Sequence, residues 1–148
     1  MRRFLDCAGV GMSFFASGLV VGLSLIAAAV KFTATRPDLL DLLDVGRVQF
    51  AALHMAEWIL VPAACTLLAI GVPRLRMATA VTAACFLVKA LLLQPALHAR
   101  MVARLADQSV PESNIHVTYV VASVTLVLLL LAQGSFGMYA LSSHTSEK

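Results

Sequence analysis

Charge is scarce in this sequence: of 148 residues only 13% are Asp, Glu, Lys or Arg, against 60% hydrophobic. A soluble domain carries roughly 25% charged residues to cover its surface, so the composition excludes an ordinary water-soluble domain of this length. Contiguous basic stretches are missing too. The net charge of +3 arises from eleven Lys and Arg scattered one or two at a time. That argues against nucleic acid as a partner and matches cations flanking membrane segments at the headgroups. Cysteine is sparse and unpatterned. Cys7, Cys65 and Cys85 show no C-x-x-C spacing, and the last two sit in apolar blocks as small hydrophobes. Gly-x-Ser-x-Gly, His-Glu-x-x-His and phosphate-loop patterns are all absent, which removes the commonest hydrolase, zinc-enzyme and nucleotide-binding signatures.

What is abundant is long apolar runs, over about 8–31, 48–72, 77–94 and 115–141. A run of roughly 18 or more such residues crosses the ~30 Å hydrocarbon layer as a helix. Four of them predict an all-α fold, a single-domain integral membrane four-helix bundle with short loops whose main partner is the lipid bilayer. The first run follows Arg2-Arg3 but exceeds the roughly 7–15 apolar residues of a signal peptide, so it reads as a retained helix. Gly18 and Gly22 make a G-x-x-x-G pair, a helix-packing signature that serves inside one bundle or between copies in a homo-oligomer.

The connections carry their own signals. Thr35-Arg36-Pro37-Asp38 ends the first helix, and Leu39, Leu40, Leu42 and Leu43 alternate with Asp38, Asp41 and Asp44 as in a short amphipathic interfacial helix. Pro95 is expected to kink or break the third helix at the membrane edge, with an amphipathic extension toward Arg104. Placing both termini inside divides the basic residues evenly between the two sides. The Arg2-Arg3 pair and the compact Pro73-Arg74-Leu75-Arg76 turn then favour cytoplasmic N- and C-termini.

Charged side chains within a span cost of order ~2.5–3.5 kcal/mol unless paired or hydrated, which makes Glu57 and Lys89 the informative residues. Glu57 lies roughly 15 Å into the second run and Lys89 roughly 9–13 Å before the end of the third, at 1.5 Å per residue. Adjacent antiparallel helices would bring them to one depth as an intramembrane ion pair. Arg47, His54 and Glu57 share a helix face, Thr82, Cys85, Lys89 and Arg100 fall near a second stripe, and His116, Tyr119 and Ser123 follow a third. Polar faces of three helices therefore point to the half of the bundle away from the termini. The other half, around Val20, Leu68 and Leu129, reads as almost entirely apolar. Two readings of the cluster stand: a pair that sets helix register, or a half-membrane cavity for a small ligand, proton or metal. His54, Glu57 and His116 are the metal-ligand candidates, and two histidines from facing helices can ligate haem. The residues themselves predict no cofactor.

The stretch Leu93-Gln94-Pro95, Arg100, Pro111-Glu112-Ser113, His116 and Tyr119, with the glycine-rich first helix ending at Phe32 and the Gly46-Arg47 start of the second, resembles a family of small bacterial inner-membrane proteins whose domain recurs in eukaryotic transmembrane protein 205. The resemblance implies a four-helix membrane fold in the bacterial cytoplasmic membrane and no particular chemistry. Ser123 stands where that family would place an acidic residue. A second stretch, Arg47-Val48-Gln49, Ala51-Ala52-Leu53-His54 and Glu57, is similar to the Arg…Ala-His…Asn…Glu segment of membrane-associated glutathione-metabolising enzymes. That likeness would give Arg47 and Glu57 to a glutathione site, although His54 occupies the Asn position and Ala52 the His position. The sequence therefore favours a non-enzymatic multi-pass membrane protein, a transport-related or partner-packing module. A glutathione-type enzyme and a haem- or metal-binding redox subunit are the alternatives.

Overall fold

The computed structural model describes residues 2–27, 30, 33, 39–106 and 108–143, apart from the side chains of residues 2, 3, 39, 40 and 143. The turn expected at 35–38, together with Lys31, Phe32, Asp107 and the tail to Lys148, lies outside them. Every regular element among the described residues is helical. Helix α1 (Arg2–Val20) continues as a π-helical segment, Val21–Ala27, and α2 runs Leu39–Gly71. A single 3-10 turn, Pro73–Leu75, leads into α3 (Arg76–Val88). A π-turn, Lys89–Leu93, joins α3 to α4 (Gln94–Leu105), and α5 covers Ile115–Ser143. Four stretches are long and apolar enough to cross a membrane: Phe4–Ala27, Asp41–Gly71, Pro73–Leu105 and Ile115–Ser142. The protein is a four-helix bundle and a multi-pass membrane protein.

One local expectation is revised, and at Pro95 one of two alternatives is decided. The Leu39–Asp44 segment is the first turns of α2 and not a separate interfacial helix, because nothing between Asp44 and Arg47 interrupts helical hydrogen bonding and the intervening Gly46 is buried, with no side chain to accommodate. The third rod does not end at Pro95. Immediately before it, the N–H of Gln94 reaches back to the carbonyl of Lys89, an i to i−5 bond. This wider turn supplies the local readjustment that a mid-helix proline demands, since its ring displaces the carbonyl of the preceding turn.

α1 packs chiefly on α2 and α5, while α3 packs on the same two helices from the far side, so α1 and α3 sit diagonally across the bundle. The centre is filled by Ala16, Val61, Phe86, Ala90, Leu126 and Leu130. Phe15, Met55, Ile59, Val81, Val121 and Leu128 face outward and are exposed. On a soluble protein so extensive an apolar exterior would drive association, whereas lipid tails cover it without cost.

Close approach of the helices occurs toward the end of the bundle that holds the termini. A Cβ on Gly137 would stand 2.8 Å from Val10 Cγ2 and 3.2 Å from Leu68 Cδ2. Val10 is β-branched and has little rotamer freedom with which to yield. A Cβ on Gly18 or Gly22 would meet nothing within 4 Å. Among the described residues the G-x-x-x-G pair therefore packs against no helix, because α1 turns that face away from its neighbours. Gly137→Ala is expected to lower stability in mild detergent by about 1–3 kcal/mol, the usual cost of overpacking. Gly18→Ala should change it by less than about 0.5 kcal/mol, as for surface positions. Equal shifts in thermal unfolding would contradict this packing.

Candidate functional site

The ion pair forms. Lys89 Nζ on the first residue of the π-turn donates to Glu57 Oε1 on α2, and each residue is 1% exposed. The ammonium also lies 5.0 Å from the ring centroid of Tyr119 on α5, close enough for a cation–π attraction. Tyr119 in turn meets Phe50 of α2 edge to face at 5.9 Å. A charge on each of two helices is thus neutralised by its partner and roofed by aromatic surface from a third, the arrangement that lets charge persist in a lipid-surrounded interior.

Behind Tyr119 opens a cavity of about 500 Å³ between the end of α1, the start of α2, α4 and the start of α5. Leu25, Leu43, Phe50, Leu97, Ile115 and Val120 give it apolar walls, while Arg100, Arg104, His116 and Ser113 contribute polar groups. Among the described residues no Asp or Glu lines it. At its inner end Ser24 and Ser123, 8% and 0% exposed, flank the Tyr119 phenol, yet neither hydroxyl makes a hydrogen bond of ordinary geometry. Arg100 Nη2 donates to the carbonyl of Pro111, tying the loop before α5 to α4. Both π segments lie in this half of the bundle. The one in α1 carries Ser24, and its Leu23 carbonyl accepts from Gln49 Nε2 of α2 at 2.6 Å. π-turns of this kind occur disproportionately at functional sites.

The seven residues grouped from sequence thus separate into three sets. Glu57, Lys89 and Tyr119 form one contact unit. Arg100, His116 and the same Tyr119 line the cavity. Arg47 joins neither: its Nη2 pairs with Asp44 of its own helix at 2.8 Å, and it borders only a cleft of about 30 Å³ beside Gln94 and His98. His54 stays on its own helix as well, where its Nε2 accepts from Trp58 Nε1 at 3.0 Å, and Trp58 stacks edge-on against Phe86. Of the three metal-ligand candidates, Glu57 is engaged by Lys89 and His116 lies in the cavity, which His54 does not line. Among the described residues no three His, Cys, Asp or Glu side chains converge. The glutathione pattern also divides, with Arg47 turned to Asp44 and Glu57 sealed against Lys89.

Sequence reading missed two features. Arg104, at the end of the amphipathic extension, lines the cavity. The half nearer the termini is also not purely apolar: Gln133 Nε2 donates to Ser13 Oγ at 3.0 Å, and Ser13 donates to the carbonyl of Gly9 at 2.9 Å, all within the interior. An isolated Gln and Ser on separate apolar helices gave no hint of meeting. The apolar centre from Ala16 to Leu130 lies between that pair and the ion pair. No protein-family model, curated protein or solved structure matches the chain.

Removing one member of the ion pair strands the other, which costs about 3–5 kcal/mol for a buried pair, whereas replacing both with apolar or neutral groups is often near neutral. Lys89→Met alone should therefore destabilise the bundle by that amount, and adding Glu57→Gln should restore most of the loss. A double-mutant cycle by denaturant unfolding in detergent reads the coupling, and simple additivity of the two losses would refute the pairing.

Proposed function

We propose that the chain is a non-enzymatic, transport-related module of a bacterial cytoplasmic membrane that admits a small molecule from the membrane interface into the cavity between α1, α2, α4 and α5. The observation that carries this reading is the cavity itself. Its volume of about 500 Å³ falls within the range of small-molecule sites, and it joins apolar walls to a few polar groups as such sites do. The Glu57–Lys89 pair holds the wall between α2, α3 and α5 and is a positioning element, not a ligand contact.

Kinship with the small bacterial inner-membrane proteins belongs to the same proposal, since Arg100, Ser113, His116 and Tyr119, which carry that resemblance, all frame the cavity. Both termini are placed on the cytoplasmic side on the strength of Arg2, Arg3, Arg74 and Arg76. The open face at Gly18 and Gly22 is where a helix of a second copy or another subunit would approach, so partner packing is compatible with ligand uptake.

Accessibility of the cavity wall tests the reading. In a background with Cys7, Cys65 and Cys85 replaced by Ala, the thiol of a Val120→Cys variant, at a half-buried position on the cavity wall, should react in lipid nanodiscs with a small neutral methanethiosulfonate. The thiol of Leu126→Cys, at a position packed in the core at 0% exposure, should stay inert. Equal inertness at both positions would rule out an open cavity.

A further inference from the structure

Resting on the cavity reading above, we propose that the guest is an anionic amphiphile: a carboxylate or phosphate head held by Arg104 and Arg100, and an apolar body along the walls. The head follows from charge. Two guanidinium groups and His116 line the cavity and, among the described residues, no carboxylate does, while the carboxylate behind the Tyr119 wall, Glu57, is already neutralised by Lys89. Guanidinium groups bind carboxylates and phosphates through paired, charge-assisted hydrogen bonds. Arg100 spends one donor on the Pro111 carbonyl and so stands fixed at the cavity with its other donors to offer.

The body follows from the walls. Leu97 and Met101 of α4 face Leu25, Leu43 and Phe50 across the cavity, so a bare inorganic anion would leave most of the lining without contact. Each methylene buried there adds favourable transfer free energy. From Ile115 to Ser123 along α5 the cavity extends about 12 Å at 1.5 Å per residue, the length of a medium acyl chain and not of a full membrane lipid tail. Arg104 and Arg100 sit on α4, which has no buried residue, so the head stays at the interface while the chain points toward the bilayer interior, the orientation of any amphiphile in a leaflet.

The test uses the full chain in phosphatidylcholine nanodiscs near neutral pH, with binding of radiolabelled decanoate and decanol each corrected for empty nanodiscs. Decanoate should bind at least about tenfold more tightly than decanol, the scale of one charge-assisted hydrogen bond. Arg104→Gln should remove the preference for the acid and leave decanol binding intact, which also shows that the variant keeps its fold. Competition with decyl phosphate separates the two sources of the head: stronger displacement than by decanoate assigns a phosphate monoester, weaker displacement a fatty-acid carboxylate. Equal binding of decanoate and decanol, no effect of Arg104→Gln, or displacement of decanoate by inorganic phosphate alone would overturn the assignment. If the Val120→Cys thiol reacts but these preferences are absent, the ligand class fails and the cavity stands. If the thiol is inert as well, both fail together.

Discussion

A lysine can sit in the interior of a lipid-embedded bundle only if another group neutralises it there. Lys89 on the third rod meets Glu57 on α2 and lies beneath the face of Tyr119 on α5. That contact fixes the height of the third rod against α2, since a slip of one turn along either would leave a charge in an apolar medium, and the Tyr119 ring ties α5 to the same level. The π-turn that begins at Lys89 and the edge-to-face packing of Tyr119 on Phe50 are arranged around it. The cavity lies on the other side of Tyr119, so its inner wall is held by the same ring that covers the ammonium.

The two halves of the bundle are built differently. Toward the termini the helices approach closely, with Gly137 against Val10 and a polar link from Gln133 through Ser13 to the Gly9 carbonyl. Toward the other end both π segments widen their helices, α4 contributes no buried residue, and the helices part around an opening of about 500 Å³. Tight packing at one end supplies the rigidity that lets the other end hold an open space in a medium which offers no hydrophobic drive to keep helices together. Between them the layer from Ala16 to Leu130 separates the two polar regions.

Much was legible in the sequence because the bilayer leaves few solutions. Four apolar runs with charge gathered at their ends predict four spanning helices, since only helices and closed barrels satisfy the backbone in lipid. Glu57 and Lys89 stood out as a pair because isolated charges are improbable there and their depths matched. The G-x-x-x-G pair at Gly18 and Gly22 shows the limit: spacing identifies a surface that a helix can approach, but not whether one does. Arg47, His54 and Glu57 lie on one face of α2 by spacing, yet Arg47 turns to Asp44 and His54 to Trp58, contacts within the same helix that compete with any shared site.

Residue order alone settles the solvent, the number of spans, the helical class and the charge that must be paired, because each follows from the cost of exposing polar groups to hydrocarbon. Which face of each helix meets which neighbour emerges only when the bundle packs. That choice puts Ser24 of α1 and Ser123 of α5 beside Tyr119, brings Arg104 from a segment that looked merely amphipathic into a cavity wall, and turns Gly18 and Gly22 outward. Periodicity in one helix reports a direction around its own axis. A cavity is a relation among four helices, and it exists only once their rotations and the widened turns at Val21–Ala27 and Lys89–Leu93 are set together.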